Sequence, residues 1–265
     1  MNTFEPHTGI SNIVLVGAGG TGAQLARNIA RILYDMQTRS LHVPTFTIID
    51  PDTVSSSNIG RSLFTKNEIG ENKASLLARR FNLALGLDIS AIPQRFDQKR
   101  HLHHPYNTLL IGAVDNAAAR REMSAAQCLS IDAGNSKTTG QIACGNLHSP
   151  AQLDQYLKAP KEACYRSLPS PYLVFPDLLI DEAQPEQTTP LSCAQLVELN
   201  TQHLFINDLV ACAATSSIAH LLHRAPLQHW ITFVSIDGPT VRSIEITPES
   251  IQHYAHIKNR KNAAA

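Results

Sequence analysis

Four glycines and a distant carboxylate carry the first chemical signal in the chain. Gly17, Gly19, Gly20 and Gly22 follow the apolar run Ile13 to Val16, and Asp50 follows a second apolar run, Phe46 to Ile49. Glycines at this spacing serve a nucleotide. Gly17 allows a tight turn, Gly19 lets the backbone approach phosphate, and Gly22 lets the next helix pack on the strand. That helix offers its first N–H groups to an anion, and Asp50 stands at a strand end, where a ribose would lie. These features alone suit NAD-dependent and ATP-binding proteins equally. The discriminating residues lie downstream: Asp52, Ser57 and Asn58, Arg61, Lys73, and Asp115 with Asn116. A dehydrogenase needs none of them. A triphosphate needs fixed cations and donors, and a carboxylate for magnesium.

Each of these residues also has an ordinary structural use. Asp50 suits a strand-end turn, Arg61 and Lys73 suit solvated surfaces, and Asp115 with Asn116 suits the cap of a helix starting at Ala117. Capping and metal binding are compatible, and the order of the whole series is what favours a site. His101, His103 and His104 precede Pro105 and read as a solvated turn rather than a metal cluster. The five cysteines, Cys128, Cys144, Cys164, Cys193 and Cys212, contain no C-x-x-C pair. Cys128, Cys144 and Cys212 are assigned to packing. Cys193 lies on a polar loop before a long helix, and is either a small loop residue or a thiol of lowered pKa.

The elements that position these groups alternate between strand and helix. Strands are expected at Ile13 to Val16, Phe46 to Ile49, Ile89 to Pro93, Thr108 to Val114 and Leu129 to Ala133, with helices at Thr21 to Met36, Glu68 to Leu85 and Ala117 to Cys128. The segment QTRSLHVPT is longer than a usual helix-to-strand turn and reads as a surface insertion or a partner contact. The pattern predicts an α/β fold, a Rossmann-like, mostly parallel sheet flanked by helices, with ligands at the carboxyl ends of strands. Asp50 and Asp115 then share one cleft. Residues 148–192 are proline-rich and aperiodic, a crossover loop of the kind that is functional or disordered. Beyond it, Leu196 to Leu222 is mostly helical, and Trp230 to Ile236 and Val241 to Ile246 read as antiparallel strands around Asp237 and Gly238. We expect a flexible arm over 1–11, a single nucleotide-binding domain over 12–255 and a frayed tail over 256–265.

Composition narrows the partners. Lys plus Arg equals Asp plus Glu at 22 each among 265 residues, so no global field favours nucleic acid or an anionic membrane. No stretch approaches roughly 18 uninterrupted apolar residues, the length of a membrane span. A signal peptide is not apparent, and the cysteine usage fits reduced thiols in a cytoplasm.

Taken together, the motifs resemble the ThiF/MoeB/ubiquitin-activating-enzyme superfamily. The matching pieces are GAGGTG from Gly17 to Gly22, IIDPDTVSSSNIGR from Ile48 to Arg61, Gly70 to Lys73, and VDNAAAR from Val114 to Arg120. The resemblance implies adenylation of the C-terminal carboxylate of a small ubiquitin-like (β-grasp) protein by ATP and magnesium, with release of pyrophosphate. By matched position Asp50 would hold the ribose, Asn58, Arg61 and Lys73 the phosphates, and Asp115 the magnesium. Gly17, Gly19, Gly20 and Gly22 would form the nucleotide turn. Relatives that form a thioester carry their nucleophile where Cys193 stands, and such a thiolate would attack the acyl-adenylate. The segment PLSCAQLVELNTQHLFIND resembles the ThiF-family member of plasmid-type PRTRC cassettes, which implies a conjugating-enzyme-like partner as well.

This sequence also departs from the family. The usual C-x-x-C zinc pair becomes Cys164 to Ser167, and neutral serine is a poor zinc ligand, so no such zinc site is expected. The family's arginine-containing N-terminal segment, which in dimers reaches a neighbouring ATP site, has no clear match in MNTFEPHTGI, and Ser62 stands where a glutamine is usual. The family implies a homodimer; these departures put dimer-assisted catalysis in question. Two other readings remain, a non-catalytic adaptor that keeps the fold and an NAD-binding oxidoreductase.

Overall fold

Short β-branched runs, buried on both faces, form the centre of the sheet in this computed structural model. It describes residues 2–6, 9–60, 62–158, 163–181 and 205–261, the side chains of 158 and 256–261 apart. The chain opens on β1 (Thr3–Phe4) and then alternates through β2 (Asn12–Val16), α1 (Gly20–Thr38), β3 (Thr45–Ile49), α2 (Lys73–Leu85), β4 (Ile89–Ile92), α3 (Gln98–His101), β5 (Thr108–Gly112), α4 (Ala117–Ser124) and β6 (Leu129–Asn135). Among the described residues there follow β7 (Thr139–Gly145), α5 (Pro150–Lys158), β8 (Cys164–Tyr165), α6 (Pro171–Val174), α7 (Ile206–Leu222), β9 (His229–Ser235), β10 (Thr240–Glu245) and α8 (Pro248–Lys261).

The main sheet runs β10-β9-β7-β6-β5-β2-β3-β4. Strands β4, β3, β2, β5 and β6 are parallel, and β7, β9 and β10 add antiparallel to the β6 edge. The order reverses at β2, with β3 on one side and β5 on the other, which opens a crevice at the carboxyl ends of these strands. Register sets those ends level: Val16 pairs with both Ile49 and Gly112, and Gly112 with Asp132. Alternation along the strands divides the core. Ile13, Leu15, Ile48, Leu109 and Ile111 pack with α1, α2 and α7. Val14, Val16 and Leu110 face the other way, against Met123 of α4 and Tyr172 of α6.

The expected parallel strands are present, and several boundaries move for identifiable reasons. Helix α2 begins at Lys73 rather than Glu68, because Lys66–Glu68 form a separate 3-10 turn, Gly70 takes φ +91°, and Asn72 caps the helix by accepting from Ser75 N–H. Strand β7 lies between two expected elements and was not anticipated. The segment expected as a loose arm contains β1, which pairs with β8; Phe4 is fully buried and its N–H donates to the Leu227 carbonyl. Within the proline-rich stretch α5 and α6 both begin on proline, which a helix accepts at its first position. Helix α8 stays helical to Lys261. Cys128 and Cys144 are buried as expected, but Cys212 is exposed. Helix α7 is apolar around most of its circumference, so composition does not reveal that Ile206, Val210, Ala214, Ile218 and Leu221 form its buried face.

Candidate nucleotide site

The glycine turn is built by contacts that exclude side chains. Gly17 takes φ +95°, a conformation that favours glycine, and its N–H donates to the Ile49 carbonyl at 2.9 Å. A Cβ at position 17 would lie 2.4 Å from the Ala113 carbonyl oxygen, and one at position 22 would lie 2.0 Å from that of Gly17. The turn is therefore clamped between β3 and β5. Gly19 is different. A Cβ there would meet no atom within 4 Å, and as the residue before α1 it gives the helix no side-chain cap. The start of α1 at Gly19 thus has open space beside a backbone that lacks bulk, and a helix start is where unpaired N–H groups accept an anion.

Asp50 ties the turn to its neighbours. It is 5% exposed; Oδ2 accepts from Ala18 N–H at 2.5 Å and Oδ1 from Asp52 N–H at 2.8 Å. Burial pushes its pKa up, against the pull of the Ala18 and Asp52 N–H groups and of Lys73. Asn72, which the sequence reading did not single out, completes the clamp: its Nδ2 donates to the carbonyls of Asp50 at 2.9 Å and Asp52 at 3.0 Å. Lys73 follows as the first residue of α2. Its N–H donates to the Asp52 carbonyl and its Nζ lies 3.2 Å from Asp52 Oδ2, with the lysine side chain 10% exposed. The motif signal around Asp50 and Lys73 is therefore physically one unit. Asn58 shapes the next loop, its Oδ1 accepting from Ser55 N–H at 2.9 Å and Ser55 Oγ at 3.1 Å.

At the end of β5 the two neighbouring polar residues differ in what they do. Asn116, not Asp115, caps α4, accepting from Ala119 N–H at 2.8 Å. Asp115 is exposed at the carboxyl edge of the sheet and has no partner among the described residues. A carboxylate so disposed fits a hydrated divalent cation, which keeps several waters and takes one or two carboxylates. Arg61 and Cys193 lie outside the described residues.

Behind this edge stands a buried pair that the sequence reading did not single out. Asp132 on β6 is 2% exposed; Arg120 Nε lies 3.4 Å from its Oδ2, and Tyr172 Oη donates to the same oxygen at 3.3 Å. Burial pushes the Asp132 pKa up, opposed by Arg120. The arginine lies within the VDNAAAR stretch, but its partner is fixed only by the β5–β6 register.

The arrangement has relatives. The chain is 32% identical over 145 residues to the SUMO-activating enzyme subunit uba-2 of Caenorhabditis elegans, covering 50% of this chain and 23% of that protein. It is 28% identical over 120 residues to the NEDD8-activating enzyme E1 catalytic subunit of the same organism, covering 44% of this chain and 26% of that protein. The chain thus matches about a quarter of the length of these curated relatives. Among solved structures, E. coli MccB with MccA-N7isoASN superposes with a TM-score of 0.54 at 14% identity, covering 89% of this chain and 64% of that one. MccB with ATP gives 0.52 at the same identity, covering 63% of that chain. At this identity the likeness speaks for the fold alone. A family model extends over residues 9–253, from the strand before the glycine turn to the last helix, and the chain belongs to the ThiF family.

Proposed function

We propose that this protein uses ATP to adenylate a carboxylate, that of the C-terminus of a ubiquitin-like protein. The observation that carries the reading is the uncapped start of α1, open at Gly19 and flanked along one sheet edge by Asp50 and Lys73 on one side and Asp115 on the other. An oxidoreductase has use for the glycine turn and Asp50 but none for Lys73 and Asp115. Each Asp50 oxygen keeps a lone pair beyond its backbone bond, enough to accept from a ribose hydroxyl. On this reading Asn58, Arg61 and Lys73 would hold the phosphates and Asp115 the magnesium, which would offset the charge of the triphosphate.

The chemistry asked of the chain is positioning and charge. A substrate carboxylate oxygen forms a bond to the α-phosphorus as the bond to pyrophosphate breaks, and pyrophosphate leaves with the electron pair. Donors already fixed by the Asp50, Asp52 and Asn72 clamp need no reorganisation as charge develops. Where the acyl group moves on, the Cys193 thiolate attacks the acyl carbon and AMP leaves. Support for the ubiquitin-like substrate comes from the curated relatives, which are named as NEDD8- and SUMO-activating. MccB, crystallised with MccA and with ATP, supports ATP use.

The test is thermal stabilisation by ATP with magnesium, by ATP with EDTA and by NAD, in the native chain and in Asp115→Ala. Ligand that binds only the folded state raises apparent stability by mass action. Magnesium-dependent stabilisation by ATP that is absent in the variant is the expected result. Stabilisation by NAD alone would overturn the proposal.

A further inference from the structure

Helix α7 reaches the glycine turn from the far side of the chain. Its second residue, Asn207, is 3% exposed. Asn207 Oδ1 accepts from Thr21 Oγ1 at 3.0 Å and from Asn135 Nδ2 at 2.7 Å, and Asn135 Nδ2 also lies 3.1 Å from Thr21 Oγ1. Three elements meet in this knot: the first turn of α1, the end of β6 and the start of α7. In this arrangement Oδ1 takes both bonds and Nδ2 is turned the other way.

That nitrogen has no partner among the described residues, and it stands against Gly20. A Cβ at position 20 would lie 2.5 Å from Nδ2, so only glycine leaves the amide room there. The neighbouring position, Gly19, faces open space at the uncapped start of α1. A nearly buried amide thus has its acceptor end held by Thr21 and Asn135 and its donor end without a partner among the described residues, at the first turn of α1.

We infer that Asn207 is a nucleotide-binding residue, its Nδ2 donating to the phosphate chain at the start of α1 while Thr21 and Asn135 hold the amide in place. The inference rests on the adenylation reading and extends it to a residue distant in sequence from the glycine motif. The ligand class is an anionic phosphate; a neutral nucleoside gains nothing from this donor.

The experiment compares ATP with adenosine by calorimetric titration, in the native chain, Asn207→Asp and Asn207→Ser, with unliganded melting temperature as a fold check. Asp keeps the acceptor for Thr21 and Asn135 and replaces only the donor, while Ser removes the donor without adding charge. The expected result is a loss of ATP affinity of at least about tenfold, larger for Asp than for Ser, with adenosine affinity unchanged in whichever variants fold. Equal losses for ATP and adenosine would mark Asn207 as a purely structural support and overturn the inference, as would undiminished ATP affinity. A native chain that binds neither ligand would instead remove the adenylation reading itself.

Discussion

Gly19 and Gly22 belong to one turn and answer to different constraints. At Gly22 the limit is the Gly17 carbonyl, a backbone atom that cannot swing aside. Gly22→Ala is expected to cost about 3 kcal/mol or more in unfolding free energy, at the severe end of overpacking. Gly19→Ala meets open space and is expected to change stability by about 1 kcal/mol or less, while weakening ATP because its methyl group occupies the side from which phosphate approaches. Melting and ATP titration of the two variants check this, and a Gly19→Ala protein as unstable as Gly22→Ala would contradict the assignment of free space. Asp115 makes a similar separation. It is exposed and Asn116 does the capping, so Asp115→Asn should leave unliganded stability within about 0.5 kcal/mol and remove the part of ATP stabilisation that EDTA removes from the native chain.

Elements hold these residues through pairs that span the sheet. Arg120 of α4 and Asp132 of β6 are both nearly buried, so Arg120→Ala leaves a carboxylate without its counter-charge and is expected to cost about 3–5 kcal/mol. The double variant Arg120→Ala with Asp132→Asn should recover part of that loss, and a simple sum of the two single effects in a double-mutant cycle would show the pair to be uncoupled. The same scale explains what the sequence made legible. β2, β3 and β5 are buried on both faces and therefore read as apolar runs. β7 did not, because Gly140 and Gly145 look like turn residues. In the fold they are close-packing positions, with a Cβ at 140 falling 2.3 Å from Val210 Cγ2 and one at 145 falling 2.0 Å from the Pro169 carbonyl oxygen. Asn72, Asp132 and Asn207 were missed for a related reason: their partners are set by tertiary register, and Thr21 and Asn207 are 186 positions apart. The glycine turn, Asp50, Lys73 and Asp115 stand out in the sequence because they follow one another in a local motif order.

At the scale of the whole molecule, the half-buried His148 makes one contribution to the pH dependence of stability. His148 Nε2 donates to the Cys128 carbonyl at 2.6 Å, its Nδ1 has no partner among the described residues, and partial burial holds its pKa below 6.5. Between 6.5 and the lower folded value the unfolded chain binds more protons than the folded one, so stability falls as pH falls. His148→Gln keeps an N–H donor for Cys128 and should shrink the drop in melting temperature from about pH 7.5 to about pH 5.5; an unchanged drop would exclude His148 as a source. No described helix is long and apolar enough to cross a membrane, and Lys plus Arg equals Asp plus Glu at 22 each. The proposed reaction joins AMP to a polypeptide carboxylate in the cleft. ATP–pyrophosphate exchange, measured with each β-grasp protein encoded beside this gene and with the same protein carrying an amidated C-terminus, tests it most directly. The expected result is exchange that requires one such partner, magnesium and a free C-terminal carboxylate. ATP binding without exchange for every partner, or exchange that survives amidation, would contradict it.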